Sequence, residues 1–143
     1  VERSVDADKE ETSIEVQRAA FVICSELISV DQMASVMGYA ADFSLAKGEV
    51  REGAMARIPA RQSSWEIRED ADSVAEAIER LFRRLRPAQN RLRELRALGC
   101  SARFSIVQRV MPDSDLGFAI DAEDVRLLTD AGAFIDVDQY VVY

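Results

Sequence analysis

From Val74 to Leu95 an apolar residue recurs at every fourth or third position: Val74, Ile78, Leu81, Leu85, Ala88, Leu92 and Leu95. That spacing gathers them on one side of an α-helix, and leaves Glu76–Arg80 and Glu79–Arg83 as i,i+4 pairs on the other. Ser73 followed by Glu76 supplies a capping box at the start, and Gly99 a stop at the end. The stripe keeps its phase through Pro87, which predicts one long helix kinked at the proline. Such a helix gains most of its stability from a surface to lie on, so the rest of the chain must provide one.

The flanking segments provide it as strands. Ile14 to Cys24 ends in the apolar run Ala19–Cys24. A second strand is expected at 42–47, and a third at Ser64–Arg68, where alternation points Trp65 and Ile67 inward. Ala102, Phe104, Ile106 and Val110 alternate in a fourth, Leu116–Ile120 forms a short fifth, and Phe134–Tyr143 closes the chain. Two short helices complete the order. One opens on a Ser29/Gln32 capping box and ends at Gly38; the other is capped by Asp121 and stops near Gly132. The sequence therefore predicts an α+β fold, β-α-β-β-α-β-β-α-β, with a mainly antiparallel sheet and helices packed on it. Residues 1–13 are polar without a period and read as a mobile acidic arm, which leaves 14–143 as a single domain. Residues 48–63 carry Gly48, Gly53 and Pro59 and read as a long loop.

Composition narrows the chemistry. The 143 residues are 48% hydrophobic and 31% charged, a globular balance. They contain no histidine, which removes Ser-His-Asp and Cys-His activation and most zinc sites. Twenty-six acids against 18 bases give a net charge of −8, so neither nucleic acid nor an anionic membrane surface is an expected partner. The charge is uneven: residues 113–143 hold eight acids and one base, while 73–98 hold seven arginines against three glutamates. Cys24 and Cys100 are far apart in sequence and have no metal-ligand spacing, and the acidic N-terminal stretch lacks a signal-peptide pattern, so a cytoplasmic location is expected.

Candidate sites follow from what remains. Asp113 and Asp115, then Asp121, Glu123 and Asp124, then Asp136 and Asp138 form acidic groups, but none has EF-hand spacing, and no metal or cofactor is expected. Helix macrodipoles and solvated strand faces account for them. Glu26, Glu49, Glu52 and Glu66 are available for carboxylate chemistry, with nothing in the sequence to make them converge. No phosphate loop, G-x-S-x-G or S-x-x-K motif occurs, and no catalytic residue is assigned. The arginines of 80–96 lack interleaved aromatics and read as a solvated helix face with internal ion pairs. Trp65 reads first as core. The competing reading has the 48–63 loop fold over it, so that Trp65 floors a ligand pocket with Arg57 and Arg61 as anion contacts.

Several stretches together resemble a bacterial family known as domain of unknown function 4279. They are Phe21-Val22-Ile23, Met37-Gly38, Lys47-Gly48-Glu49, Ser64-Trp65-Glu66-Ile67, Leu81 to Leu85 running into Pro87, Leu127-Leu128, Ala131-Gly132-Ala133 and Ile135 to Tyr140. The likeness covers roughly residues 17–143 in order, and departs at Ala40-Ala41-Asp42. It implies the fold and brings no catalytic residue. The leading functional expectation is a small acidic, non-enzymatic interaction module, immunity-like in size and charge. It would meet a protein with a basic surface through Asp136 and Asp138. The alternative is a small-ligand binder or carboxylate-based enzyme using the 48–63 loop and Trp65. A third reading is a homodimer through the 73–98 helix.

Overall fold

A computed structural model describes residues 17–53, 55–113 and 117–143. The expected 1–13 arm, the first residues of the opening strand, and Asp115 and Leu116 lie outside the described residues. The fold is α+β. Five strands form one sheet: β1 (Gln17–Ser25), β2 (Phe43–Leu45), β3 (Ser63–Ala71), β4 (Ser101–Val110) and β5 (Ala133–Val141). Their spatial order is β2-β3-β1-β4-β5, with β2/β3, β3/β1 and β1/β4 antiparallel and β4/β5 parallel. The sheet is thus mostly antiparallel and mixed at one edge.

The helices are α1 (Val30–Met37), α2 (Val74–Leu85), α3 (Gln89–Ala97) and α4 (Ala122–Asp130), with a 3₁₀ turn over Arg86–Ala88 between α2 and α3. Pro87 sits in that turn, so the kink expected of a single rod is a full break in the α-helical pattern. The apolar stripe survives it. Every residue of the stripe from Val74 to Leu95 is at most 5% exposed within the core, so the surface weighed above as a dimer seam is already covered by this chain.

Strand alternation sorts the sheet into two faces. Ala19, Phe21 and Ile23 of β1, Trp65 and Ile67 of β3, and Ala102, Phe104 and Ile106 of β4 meet the helices. In register, Phe21 lies between Ile67 and Phe104, and Phe82 of α2 tilts against Phe104 at 5.1 Å between ring centroids. Met33 and Met37 of α1 and Leu127 and Leu128 of α4 complete this layer.

Local signals explain the helix ends. Ser29 forms the expected reciprocal capping box with Gln32. Ser73 forms only half of one: its hydroxyl accepts from the Glu76 N–H at 3.2 Å, while the Glu76 carboxylate reaches forward to Arg80. Asp121 occupies the cap position of α4 without a side-chain capping bond. Gly38 ends α1 at φ 84°, a left-handed conformation that strains any residue with a Cβ, and an added Cβ would lie 2.6 Å from the Arg91 guanidinium. That guanidinium donates to the Met37 carbonyl at 2.7 Å and holds α3 against the end of α1.

One expected strand differs. Residues 118–120 are not part of a strand, although Phe118 and Ile120 still pack against the core. The reason lies in the parallel β4/β5 pair: chain leaving the end of β4 must travel back before β5 can start, so this stretch and α4 form the crossover. Among the described residues, no helix is long and apolar enough to cross a membrane.

Candidate functional site

Among the described residues no helix packs in the core layer of the sheet's second face, and the same alternation that points Phe21 to the helices points Arg18, Ala20, Val22 and Cys24 to this face. Register turns these residues into rows across the strands. Val22 sits between Glu66 of β3 and Arg103 of β4; Ala20 sits between Arg68 and Ser105; Arg18 sits between Asp70 and Val107. Continuing across β4, Phe134, Asp136 and Asp138 of β5 follow Arg103, Ser105 and Val107. Residues two strands apart are separated by two inter-strand steps, roughly 10 Å of backbone.

Charge pairs organise this face. The Arg18 guanidinium donates to both Asp70 oxygens at 2.7 and 3.2 Å, and that hydrogen bond holds the Asp70 carboxyl below its ordinary value against the opposing effect of burial. Arg68 donates to Glu66 at 2.8 Å and lies over the Phe43 ring, 3.9 Å from its centroid. Arg103 is exposed, with no ion-pair or hydrogen-bond partner among the described residues. Burial pushes the Cys24 thiol up, which disfavours a reactive thiolate there.

The 48–63 loop turns back on itself through Gly48 N–H to Ala60 O at 2.8 Å and Ala60 N–H to Glu49 O at 2.7 Å. Its Glu49–Glu52 segment and the sheet face border a cleft of about 750 Å³ that is open to solvent on one side. Glu49, Glu52 and Glu66 line it together, a convergence that sequence spacing gave no means to see. Glu26 is not among the lining residues. The arrangement can hold a ligand by charge and hydrogen bonds over a floor of small side chains, within the size range of small-molecule sites.

Trp65, Arg57 and Arg61 are placed apart from this cavity. Trp65 is 0% exposed on the helix-covered face, edge-on to Tyr39 at 5.4 Å, and its Nε1 has no hydrogen-bond partner. Arg57 and Arg61 are exposed on the loop and do not line the cavity. The loop does wall a pocket, but on the side of the sheet opposite Trp65. Alternation makes this unavoidable: Trp65 points to one face, so Ser64 and Glu66 point to the other.

Asp136 and Asp138 lie on β5, which pairs with β4 and, among the described residues, has no second neighbour in the sheet. Phe134 at 59% and Tyr140 at 51% exposure share their face, and Ile135 at 49% and Val137 at 41% lie on the other. Among the described residues, no group of three or more Cys, Asp or Glu is gathered to hold a metal ion.

The arginines of 80–96 are more than a solvated face. Arg84 donates to Asp42 at 2.7 and 2.9 Å, Arg93 to Asp130 at 2.7 Å, and Arg96 to the Thr129 carbonyl at 2.8 Å. Arg86 donates to Glu79 and to both oxygens of Asp124, whose side chain is 5% exposed. These arms tie α2 and α3 to β2's approach and to α4. Asp124 was legible only as an acid in a helix's first turn; its partner comes from 38 positions away.

A five-stranded, mostly antiparallel sheet with helices packed, among the described residues, on one face defines the class: a single α+β fold. The particular family follows from sequence. The family model described as Domain of unknown function (DUF4279) matches residues 14–142, and the chain belongs to that family. No curated protein and no solved structure matches it.

Proposed function

We propose that this protein is a non-enzymatic interaction module, active in the bacterial cytoplasm, that captures a partner with a basic strand or surface along β5. The observation that carries the reading is the state of that edge. Among the described residues β5 has no neighbour on its outer side, so every second one of its nine residues offers backbone N–H and C=O groups there, and five apolar residues from Phe134 to Val141 are at least 40% exposed. A long, exposed, apolar edge is a hazard unless something covers it, and strand addition is a common way to cover one. Charge selects the cover. Two copies of β5 paired antiparallel about Val137 would set Asp136 against Asp138 twice, which like-charge repulsion opposes; a strand bearing Lys or Arg is favoured instead. An immunity-like role, neutralising a basic effector, is the biological form this chemistry suits.

The test is native mass spectrometry of the tagged protein drawn gently from its host, beside an Asp136→Lys/Asp138→Lys double variant. The reading expects a stoichiometric protein partner that leaves as salt rises and is lost from the variant. Retention of that partner by the variant, with unchanged salt response, contradicts it.

A second reading has one observation in its favour. The cavity walled by the Glu49–Glu52 segment is large enough for a small molecule and brings Glu49, Glu52 and Glu66 together, which suits a small-ligand binder or carboxylate chemistry without Trp65.

A further inference from the structure

The charges lining the cavity run against the charge of the chain. Four arginines (Arg18, Arg51, Arg68 and Arg103) meet three glutamates there, whereas the whole sequence carries 18 bases and 26 acids. Their pairing is unequal as well. Arg18 is satisfied by Asp70 and Arg68 by Glu66, so on the sheet floor the guanidinium without an ion-pair partner is that of Arg103, while Glu49, Arg51 and Glu52 stand on the loop side. Ser105, two residues along β4, shares its face and lines the same space with a hydroxyl that has no side-chain partner among the described residues. Beside them Val22 and Ala20, each 5% exposed, make an apolar strip along the central strand, and Val107 extends it.

We infer that this cavity binds a small organic anion, with its acidic group on Arg103 and Ser105 and its apolar body along Ala20, Val22 and Val107. A guanidinium fork matches the two oxygens of a carboxylate or the face of a phosphate. Small side chains at Ala20 and Ser105 let the body lie close to the sheet, and the Glu49–Glu52 segment closes over it. The inference rests on the second reading above, that the cavity is a ligand site. It is independent of the β5 edge.

The probe is 8-anilinonaphthalene-1-sulfonate, an anion with a flat apolar body, titrated by fluorescence and mapped by amide shifts on labelled protein. The expected result is one saturable site, with shifts on the lining residues of β1, β3 and β4 and on 49–52. Arg103→Gln should weaken binding about tenfold or more, the loss of one charge-assisted pair. Ser105→Trp, which fills the cavity from an open-face position, should abolish binding, and Asp136→Lys/Asp138→Lys, which sets cations beside Ser105 and Val107 in register, should strengthen it. Displacement by benzoate would assign a carboxylate head, and displacement by phenyl phosphate a phosphate head; displacement by neither overturns the inference. Loss in Ser105→Trp with full affinity in Arg103→Gln overturns the anion assignment and keeps the cavity as a ligand site. Full affinity in both variants, or shifts confined to 134–141, removes the cavity reading too.

Discussion

On β1, neighbouring residues have opposite tasks. Ala19, Phe21 and Ile23 are at most 1% exposed under the helices, while Arg18, Ala20 and Val22 face the cavity on the other side. The covered face is held by volume: rings and branched side chains fill the space below α2, so a change there is felt as a hole. The open face is held by short-range pairs such as Arg18–Asp70 and Arg68–Glu66, whose exposure to water keeps each weak. One strand thus separates what makes the protein stable from what lines the cavity. Substitutions should follow that division.

The largest effect belongs to the covered face. Phe21→Ala should cost about 3–5 kcal/mol in urea denaturation, because the ring is fully buried between Ile67 and Phe104. Next is the helix-side clamp. Arg86→Ala removes the cation that Asp124 and Glu79 share and leaves a carboxylate of 5% exposure without it. Because Arg86 itself is 39% exposed, solvent screening holds the expected loss to about 1–3 kcal/mol.

A smaller effect depends on pH. The Arg84 hydrogen bond holds the Asp42 carboxyl below its ordinary 3.8. A depressed carboxyl pKa contributes stability above the unfolded value, and that contribution is lost as pH falls through the folded one. Wild-type protein should therefore lose stability as pH drops below about 4, and Asp42→Asn should flatten that part of the curve. The smallest effects belong to the open face: Arg103→Gln and Asp136→Lys/Asp138→Lys should each change stability by less than about 0.5 kcal/mol. A loss like that of Phe21→Ala at either place would break the division between the faces.

Period and alternation made the covered face readable. The Val74–Leu95 stripe, the inward Trp65 and Ile67, and the Ser29 capping box all rest on residues a few positions apart, where geometry is local. Residues 118–120 show the boundary of such signals: Phe118 and Ile120 alternate as a strand does, yet the parallel β4/β5 pair requires a crossover there. The candidate site was harder still. Its Glu49, Glu52, Glu66 and Arg103 come from a loop and two strands, and register alone decides that they share one face. Local sequence does not say which side of the sheet the 48–63 loop folds over; Trp65 lies on the face opposite the cavity that the loop walls.

The most direct test of the division is hydrogen–deuterium exchange on the tagged protein in the complex eluted from its host, compared with the free chain. The account predicts new protection along Ala133–Val141, where β5, among the described residues, has no neighbour on its outer side, with the helices unchanged. Protection confined to α1–α4, with β5 exchanging as in the free chain, would contradict it.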